Sequence, residues 1–429
     1  MKIAVIGGGI AGLATAWLLS RRNAVTLFER HAQPGFVASS VAVDAGPGVP
    51  PVRVDVPLRV FYPGYYPTLT RLYAQLGVAT EPVSYATTFT GADGRAFFRW
   101  RNLRWGDACW PYVLPQDLAG ARARRIVRGA LRFNREARAA LARGELAGCS
   151  IGSFVAALAL PPDYVDGLLL PTLATIATCT TEDARHYPAD VVATYLAGGL
   201  TRQSVRRAVL GADDACARLQ AGITRVQCDA GVVGLRREDA AGKTVLVQRL
   251  SGVESFDHVV LATQANQALA LWQDATAEEA AALQGFSYRA LEVVMHRDAS
   301  LMPARRADWS PVNARVCAGQ DRPESTIWVN AVQPALRHAP LALQTVQPQR
   351  PVRDDLVISR ARFERPLVDA ASQRALAALQ QLQARPGRRV WLCGSYAQPG
   401  VPLLESAVRS ACAVAEAITG RPALERLAA

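Results

Sequence analysis

A glycine-rich turn directly after the first apolar segment constrains this chain more than any other feature of its sequence. Residues 2–6 are typical of a short buried strand, and Gly7, Gly9 and Gly12 follow at once. Apolar residues then recur at helical spacing, and a second strand-like segment ends just before Glu29. The order strand, G-x-G-x-x-G turn, helix, strand and acid is the pattern of a dinucleotide-binding unit.

Each part of this pattern has a physical task in holding a dinucleotide. Gly7 would make the tight turn, Gly9 would let the backbone approach a pyrophosphate, and Gly12 would let the helix pack closely on the strand. The helix N-terminus would face the phosphates with its free N–H groups and its dipole. The Glu29 carboxylate would accept hydrogen bonds from a pair of ribose hydroxyls.

The bulk properties of the chain exclude several classes of protein. Its 429 residues are 50% hydrophobic, which is enough for a large core and two or three domains. No apolar run reaches the roughly 18 residues of a membrane span, and the strand at residue 2 leaves no room for a signal peptide. The eight cysteines are scattered without a C-x-x-C pair, which predicts neither a metal site nor disulfides. We therefore expect a cytoplasmic protein, at most peripheral to a membrane.

Arginine carries the net charge of +12, since Lys2 and Lys243 are the only lysines. Seven arginines lie on a predicted helix over residues 117–143: Arg122, Arg124, Arg125, Arg128, Arg132, Arg135 and Arg138. This row is either a solvated helix face or a surface for an acidic lipid or an acidic carrier protein, and the sequence leaves both interpretations open. No motif of a nucleic-acid-binding module is present, so we expect no nucleic-acid partner.

The chain ends with the same strand–loop–helix order with which it begins. Residues 61–220 are predicted to be mostly helical, and later segments alternate between strand and turn. Strands are predicted at residues 40–43, 52–56, 224–228, 231–237, 244–249, 256–262, 291–296, 326–332 and 389–393, and a last helix at about 403–419. This layout favours a nucleotide domain formed by residues 1–60, 221–285 and 350–429, with a substrate domain formed by residues 61–220 and 286–349.

Several of these segments resemble the flavin amine oxidase superfamily, which includes monoamine oxidases, phytoene desaturases and protoporphyrinogen oxidases. The resemblance lies in the glycine turn with Glu29, and in residues 257–263, 393–396 and 405–410. The chain looks closer still to bacterial predicted NAD/FAD-binding flavoproteins often encoded near cyclopropane fatty acid synthases. That closer similarity lies in residues 66–77, 131–136, 294–298, 301–303 and 309–313.

The resemblance implies an α/β protein with FAD as its cofactor. Its FAD-binding Rossmann domain would be of the glutathione-reductase type and discontinuous in sequence, with an inserted mixed α+β substrate domain. The implied contacts are Gly7, Gly9, Ile10, Ala11 and Gly12 with the pyrophosphate, Glu29 and Arg30 with the adenosine ribose, Val232 with the adenine, Gly394 and Ser395 with the ribityl chain, and Leu404, Glu405 and Ala407, at a helix N-terminus, with the pyrimidine edge of the flavin.

The chain departs from its relatives in the loops that surround the isoalloxazine. Residues 34–37 read Pro-Gly-Phe-Val, where relatives usually have Leu-Gly-Gly and a polar residue. Residues 55–58 read Asp-Val-Pro-Leu in place of Asp-Thr-Gly-Phe, and the closing loop over 398–407 also differs. The resemblance therefore predicts FAD but does not specify the relatives' substrate.

Few side chains are candidates for chemistry beside the flavin. Tyr396 is the first candidate, because it follows Gly394 closely and would lie near the flavin if the resemblance holds. His296 and Tyr62 are further candidates, although a histidine near the end of an apolar strand and a tyrosine in a cluster are also typical of structural residues. Neither lysine should reach the flavin, which argues against a standard amine oxidase.

Three functional classes remain open from the sequence. The first is an FAD-dependent oxidoreductase that takes a hydride from an apolar substrate, such as a lipid-linked, carrier-linked or secondary-metabolite molecule. The second is a redox-neutral isomerase or cyclase, in which the hydride leaves and returns. The third is a degenerate flavoprotein that acts as a partner subunit.

Overall fold

The computed structural model describes residues 1–106, 108–197, 203–238, 244–317 and 319–424. Its strands, in chain order, are β1 (Lys2–Ile6), β2 (Ala24–Phe28), β3 (Val41–Val43), β4 (Val52–Val54), β5 (Thr80–Val83), β6 (Thr87–Thr90), β7 (Ala96–Trp105), β8 (Ala108–Tyr112), β9 (Val205–Ala208), β10 (Arg225–Gln227), β11 (Val232–Arg237), β12 (Val245–Arg249), β13 (Gly252–Phe256), β14 (His258–Leu261), β15 (Tyr288–His296), β16 (Val312–Arg315), β17 (Glu324–Trp328), β18 (Leu343–Val346), β19 (Val357–Pro366) and β20 (Val390–Leu392).

The helices vary from single turns to six turns. In chain order they are α1 (Ile10–Ser20), α2 (Pro67–Leu76), α3 (Ala121–Arg143), α4 (Ile151–Ala157), α5 (Pro162–Tyr164), α6 (Leu170–Ala177), α7 (Thr181–His186), α8 (Ala189–Ala197), α9 (Gly211–Ala221), α10 (Ala265–Leu271), α11 (Ala277–Gln284), α12 (Val329–Val332), α13 (Ala370–Gln383) and α14 (Leu404–Thr419). A π-helical turn, Val165–Leu169, joins α5 to α6.

The first sheet is parallel and collects strands from distant parts of the chain. Its order is β10-β2-β1-β14-β20, and β1 at its centre pairs with β2 on one side and β14 on the other. The central strands are buried on both faces, which explains their continuous apolar sequence. The sheet is thus discontinuous in sequence.

Two apolar layers cover this sheet. Helix α1 packs against α14 and α9, and their side chains belong to the largest core cluster. The antiparallel sheet β11-β12-β13 and helices α10, α11 and α13 contribute to a second cluster. The result is an α/β domain with a Rossmann-like unit at the start of the chain, as the sequence predicts.

A second sheet of eight strands forms the body of the other half of the molecule. Its order is β19-β15-β18-β17-β16-β6-β7-β8, and it is antiparallel except where β16 runs parallel to β6. Strands β15 and β19 pair along the whole length of β15. The β3–β4 hairpin packs on this sheet, because Val54 and Val56 share a core cluster with Leu291 and Phe363.

Three sequence-based assignments are corrected by this topology. Residues 61–220, predicted to be mostly helical, contain the strands β5 to β9, which pair with each other and with later strands. Residues 357–366, assigned to the nucleotide domain, form β19 of the eight-stranded sheet instead. The segment predicted as one strand over 256–262 is the end of β13 and the whole of β14, separated by Asp257. Local periodicity does not show which distant strand is the partner, and this is why these assignments failed.

The arginine-rich helix begins four residues later than predicted. A short 3₁₀ turn, Pro115–Leu118, precedes α3, and Gly144 ends the helix in the left-handed conformation with φ of 71°. Its buried face carries Ile126, Gly129 and Phe133. None of the helices in the described part of the chain combines the length and the apolar character that crossing a membrane requires.

The close contact of α3 with α5 at Gly129 gives a stability prediction. A Cβ atom at Gly129 would lie 2.6 Å from Cβ of Tyr164, so a methyl group must displace that helix. We expect Gly129→Ala to lower the free energy of unfolding by about 1–3 kcal/mol, despite the higher helix propensity of alanine. Gly120→Ala, at the open N-terminus of the same helix, should cost less than about 1 kcal/mol. Thermal denaturation of both variants checks this, and equal losses would contradict it.

Candidate functional site

The glycine turn between β1 and α1 has three positions with different geometric demands. Gly7 has φ of 109°, and a Cβ there would lie 2.8 Å from the carbonyl oxygen of Ala262. A Cβ at Gly12 would lie 1.9 Å from the carbonyl oxygen of Gly7. At Gly9, by contrast, a Cβ would meet no described atom within 4 Å. The turn is therefore closed at Gly7 and Gly12 and open in front of Gly9.

The open side of the turn is lined by backbone donors. The first hydrogen bond of α1 runs from the amide of Leu13 to the carbonyl oxygen of Gly9 at 2.9 Å. The amides of Ile10, Ala11 and Gly12 therefore lie ahead of the helical hydrogen-bond ladder, and the first turn carries no acidic side chain. Such a terminus binds an anion, and the space before Gly9 is where a pyrophosphate would lie.

Glu29 follows β2 and is anchored to the same turn. One carboxylate oxygen accepts hydrogen bonds from the amides of Gly8 at 2.8 Å and Gly35 at 3.2 Å. The other accepts from the amide of His31 at 2.9 Å. A carboxylate has about four acceptor positions, so Glu29 keeps capacity for a ribose hydroxyl while it fixes the loop.

The predicted adenosine contacts lie close together. The amide of Ala230 donates to the carbonyl oxygen of Glu29 at 2.9 Å, which brings Val232 at the start of β11 next to the end of β2. The exposed Arg30 turns outward, and its Nε lies 3.1 Å from Nε2 of His31. Glu29 and Val232 are therefore placed for one ligand, and Arg30 borders it from the solvent side.

The closing strand meets the opening helix through its cysteine. The Cys393 thiol is fully buried and lies 3.3 Å from Oγ1 of Thr15 on α1 and 3.4 Å from Oγ of Ser410 on α14. Burial raises the pKa of this thiol, so it is a packing residue. Gly394 donates its amide to Oγ of Ser410 at 3.1 Å, and Ser395 follows at the carboxyl end of β20.

The N-terminus of α14 carries the three residues that the resemblance places at the pyrimidine edge of the flavin. Leu404 and Ala407 lie in its first turn. Glu405 is buried, but its carboxylate accepts from the amides of Thr68 at 3.0 Å and Leu69 at 2.9 Å. The Glu405 side chain therefore caps α2. The predicted contact of this helix N-terminus with the pyrimidine edge of the flavin stays a prediction.

The three predicted catalytic side chains are not brought together. Tyr396 lies in the second core cluster, with its ring centroid 4.9 Å from that of Phe286 and its hydroxyl buried without a partner among the described residues. A Cβ on Gly394 would lie 2.7 Å from this ring, which explains that glycine. Whether Tyr396 borders the substrate stays a prediction.

Tyr62 lies in a different cluster, among other tyrosines. Its hydroxyl donates to the carbonyl oxygen of Tyr195, and its ring packs against the rings of Tyr65, Tyr66 and Tyr195. Burial raises its pKa. A buried tyrosine with its hydroxyl already donated is a wall residue, and a role in proton transfer is corrected for Tyr62.

His296 is also corrected, because both of its ring nitrogens are occupied inside the second sheet. Nε2 lies 2.7 Å from Oγ1 of Thr345, and Nδ1 accepts from the amide of Asp298 at 3.1 Å. The side chain is fully buried, and no nitrogen remains for a substrate. Of the two lysines, Lys2 pairs with Glu254 at 3.2 Å, and Lys243 lies outside the described residues.

A pair of partly buried arginines was not predicted from the sequence. We call Arg59 and Arg365 the arginine pair. Arg59 follows the β3–β4 hairpin, donates to the carbonyl oxygen of Phe36, and stacks 4.3 Å from the centroid of that ring. Phe36 in turn donates its amide to the carbonyl oxygen of Gly8 at 3.0 Å. Arg59 thus lies beside the glycine turn, and its Nε has no partner among the described residues.

Arg365 approaches the same region from the eight-stranded sheet. It is directly opposite Arg289 in the β15–β19 ladder, so the two side chains share one face of the sheet. Arg289 is neutralised by Asp183 at 3.0 Å, whereas Arg365 makes no hydrogen bond or ion pair within the described ranges. Burial and then repulsion by Arg59 lower the pKa of Arg365, while Tyr66 and Tyr187 act in the opposite direction.

Only a weak signal in the sequence could have identified this pair. Arg59 lies three residues after Val56, and Arg365 lies two residues after Phe363, and both apolar residues pack in the same core cluster. An arginine that continues a buried stripe is unusual. Neither segment by itself, however, shows that the other segment packs next to it.

Comparison with known proteins supports the fold. Residues 5–76 match a family model described as an NAD(P)-binding Rossmann-like domain. No curated protein sequence matches the chain.

Solved structures resemble the chain over nearly its whole length. A CLA-producing fatty acid isomerase from P. acnes is 14% identical, with a TM-score of 0.64 and coverage of 95% of this chain and 96% of that one. Putrescine oxidase bound to putrescine is 12% identical, with a TM-score of 0.66 and coverage of 98% and 100%. Cyclohexylamine oxidase from Brevibacterium oxydans is 14% identical, with a TM-score of 0.65 and coverage of 97% and 99%. The chain has the fold of these proteins.

The burial of His296 predicts a pH dependence of stability. Burial lowers its pKa to about 4, from an ordinary value of 6.5. Between these values the unfolded chain binds more protons than the folded chain, so stability is lost as the pH falls from about 6.5 toward 4. His258 has the same shift, to about 4.

We expect His296→Gln to retain about half of the wild-type loss of Tm between pH 7 and pH 5, because His258 still contributes. Thermal denaturation at both pH values measures this. An unchanged loss of Tm in the variant would contradict the prediction.

Proposed function

We propose that this protein is an FAD-dependent oxidoreductase of the flavin amine oxidase superfamily, related to the bacterial flavoproteins that its sequence resembles. The observation that carries the proposal is the open space before Gly9, with the amides of Ile10 and Ala11 beside it and Glu29 anchored to the same turn. These donors fit a pyrophosphate, and the remaining acceptor capacity of Glu29 fits a ribose.

The closing unit would hold the other end of the cofactor. Gly394 and Ser395 follow β20, which is two strands from β1 in the same parallel sheet, and ligands bind at the carboxyl ends of such strands. Leu404 and Ala407 lie in the first turn of α14, and no side chain at the N-cap position caps this helix. When bound, FAD would supply the acceptor for a hydride.

The proposed substrate is an apolar molecule with an anionic group, such as a fatty acid or a related acyl compound. The arginine pair supports this, because Arg365 is a partly buried cation without an ion pair in the described structure and is repelled by Arg59, so an anion beside it would be favoured. The rings of Tyr62, Tyr65, Tyr66 and Tyr195 form an aromatic wall in the same half of the molecule. The arginine pair would bind the anionic group of the substrate, and the aromatic wall would exclude water from the apolar part of the substrate.

A redox-neutral isomerase is the second candidate function. The chain shares its fold with a fatty acid isomerase. A reaction in which the hydride returns to the same substrate needs no separate electron acceptor. A third candidate, a partner subunit without turnover, would bind no flavin or react with no substrate.

Anaerobic mixing with candidate fatty acids distinguishes these functions. Lasting bleaching of the flavin absorbance supports the oxidoreductase, and transient bleaching with a rearranged product supports the isomerase. Protein that is colourless and refuses added FAD would overturn both.

The cofactor site gives a direct prediction. Gly9→Asp should leave the apoprotein folded, because the space at this position is open. It should abolish flavin binding, because a carboxylate would repel the pyrophosphate. The measurement is the ratio of released FAD to protein, with far-ultraviolet circular dichroism as the test of folding. Gly231→Asp is a matched control near the adenosine end, where a Cβ also has space. Wild-type flavin content in folded Gly9→Asp would refute the site.

The arginine pair gives a second prediction. Arg365→Met removes the charge and keeps much of the side-chain length, so oleate should bind more weakly by about 1.5–3 kcal/mol, or roughly ten- to 150-fold. Titration of the flavin spectrum with oleate measures this, and oleyl alcohol should bind both forms equally. Arg289→Met is the control, because Asp183 already neutralises that arginine. Equal loss for oleate and oleyl alcohol would contradict an anion site, while an unchanged flavin content keeps the cofactor assignment intact.

Delivery of such a substrate would require a membrane surface or an acidic carrier protein. Helix α3 was the expected contact surface, but several of its arginines are engaged: Arg122 and Arg125 with Asp163, and Arg135 with Glu136. Arg124, Arg128 and Arg132 remain exposed without an ion pair in the described structure, although Arg124 donates to the carbonyl oxygens of Leu118 and Ala119. The protein would then be cytoplasmic and peripheral to the membrane.

A further inference from the structure

The β7–β8 hairpin has an apolar face that no described residue covers. Leu103 is 60% exposed, Trp105 82%, Trp110 47% and Tyr112 39%. The ladder pairs Leu103 with Trp110 directly, and Trp105 and Tyr112 lie two residues from them on the opposing strands. Side chains two residues apart share a face, so all four project from the same side of the hairpin. We call them the hairpin patch.

The other face of the hairpin is packed against the protein at Cys109, whereas Arg104 and Pro111 on that face are exposed. Cys109, paired with Arg104 between the residues of the patch, is only 3% exposed. The hairpin also projects, because only the first half of β7 pairs with β6 and the second half pairs with β8 alone. The exposed residues therefore lie at the end of the eight-stranded sheet.

The surroundings of the hairpin patch are strongly basic. Residues 95–132 contain nine arginines and two aspartates. Arg104 is exposed, without an ion pair in the described structure, beside Trp105. Helix α3 contacts β7, where the guanidinium of Arg122 stacks 3.6 Å from the centroid of Phe97. The exposed Arg128 continues this basic surface along the helix.

We propose that the hairpin patch docks the protein on an anionic lipid bilayer. Tryptophan and tyrosine are the residues that partition into the headgroup region, since each has an apolar body and a polar atom. Arginines around them would meet anionic headgroups. The proposal concerns binding to a surface, and it holds whatever reaction the protein catalyses.

The size of the patch favours a bilayer over a second copy of the chain. Its four side chains expose on the order of 500 Å², and each partner of a standard protein interface contributes about 800 Å². The net charge of +12 also opposes self-association of this basic surface and attracts an anionic one.

The hairpin is connected to the interior of the substrate half. Ala108 of β8 forms a bridge with Gln203, whose side chain accepts from the amide of Gly64 at 2.6 Å. Gln203 also lines an open cleft of roughly 540 Å³, together with Phe61 and Tyr73. A docked hairpin would thus place this cleft, and the aromatic wall of tyrosines behind it, close to the lipid surface.

Flotation of the full-length protein with vesicles tests the proposal. Wild type should float with vesicles of phosphatidylcholine and phosphatidylglycerol, less so at high salt, and far less with pure phosphatidylcholine. The double variant Leu103→Ser/Trp105→Ser should reduce partition by about tenfold or more. The control Leu250→Ser removes another exposed leucine, 93% exposed at the β12–β13 turn, and should behave as wild type.

Other outcomes overturn the proposal. The proposal is wrong if wild type stays unbound or if the double variant floats like wild type. It is also wrong if sedimentation velocity shows a dimer that the double substitution dissociates, or if the protein binds acidic acyl carrier protein in place of vesicles. If the double variant unfolds, brominated phosphatidylglycerol supplies a measurement on wild type. The tryptophan fluorescence of wild type should be quenched, and Trp105→Phe/Trp110→Phe, which removes both tryptophans of the hairpin patch, should remove most of the quenching.

Discussion

The close contact between Gly12 and Gly7 is the constraint on which the rest of the site depends. With no side chain at Gly12, α1 lies against the strand end so closely that a Cβ would be 1.9 Å from the Gly7 carbonyl oxygen. This contact sets where the first amides of α1 point. It also sets the position of Thr15, one turn further on, which meets the Cys393 thiol at 3.3 Å. The opening and closing units of the chain are thereby fixed to each other.

The sequence could predict the parts of the fold whose signals are local. The glycine turn, Glu29 and the apolar strands on either side determine the first Rossmann unit within one stretch of chain. The last helix was predicted to within a residue, because its apolar stripe ends at Gly420, which adopts φ of 68°. In such segments pattern, turn chemistry and burial agree.

Other features depended on pairing between distant strands, which local patterns do not encode. Strands β5 to β9 lie in a stretch that seemed helical, and they are held by partners such as β16. His296 looked like a free functional group because its neighbours in sequence are apolar. Thr345, which occupies its Nε2, is 49 residues away. The hydrogen bonds of the Glu405 carboxylate were likewise not predictable, because the amides that it binds belong to α2, more than 330 residues earlier.

The arginine pair was not predicted for the same reason, because Arg59 and Arg365 are far apart in sequence. Phe36 stands where relatives usually carry the second glycine of Leu-Gly-Gly, and its ring and carbonyl oxygen support the guanidinium of Arg59. The divergent residue Phe36 is therefore accompanied by a cation, Arg59, from the segment that follows the β3–β4 hairpin. Arg365 reaches the same region through the β15–β19 ladder, and repulsion between the two charges opposes their burial. Arg59 has Phe36 and the nearby Asp55 as partners, whereas the partly buried Arg365 has no ion pair in the described structure. Burying a charge is costly unless it is paired, which supports the proposal that an anion binds at Arg365. The divergent loops of the chain thereby support the anionic substrate proposed for it.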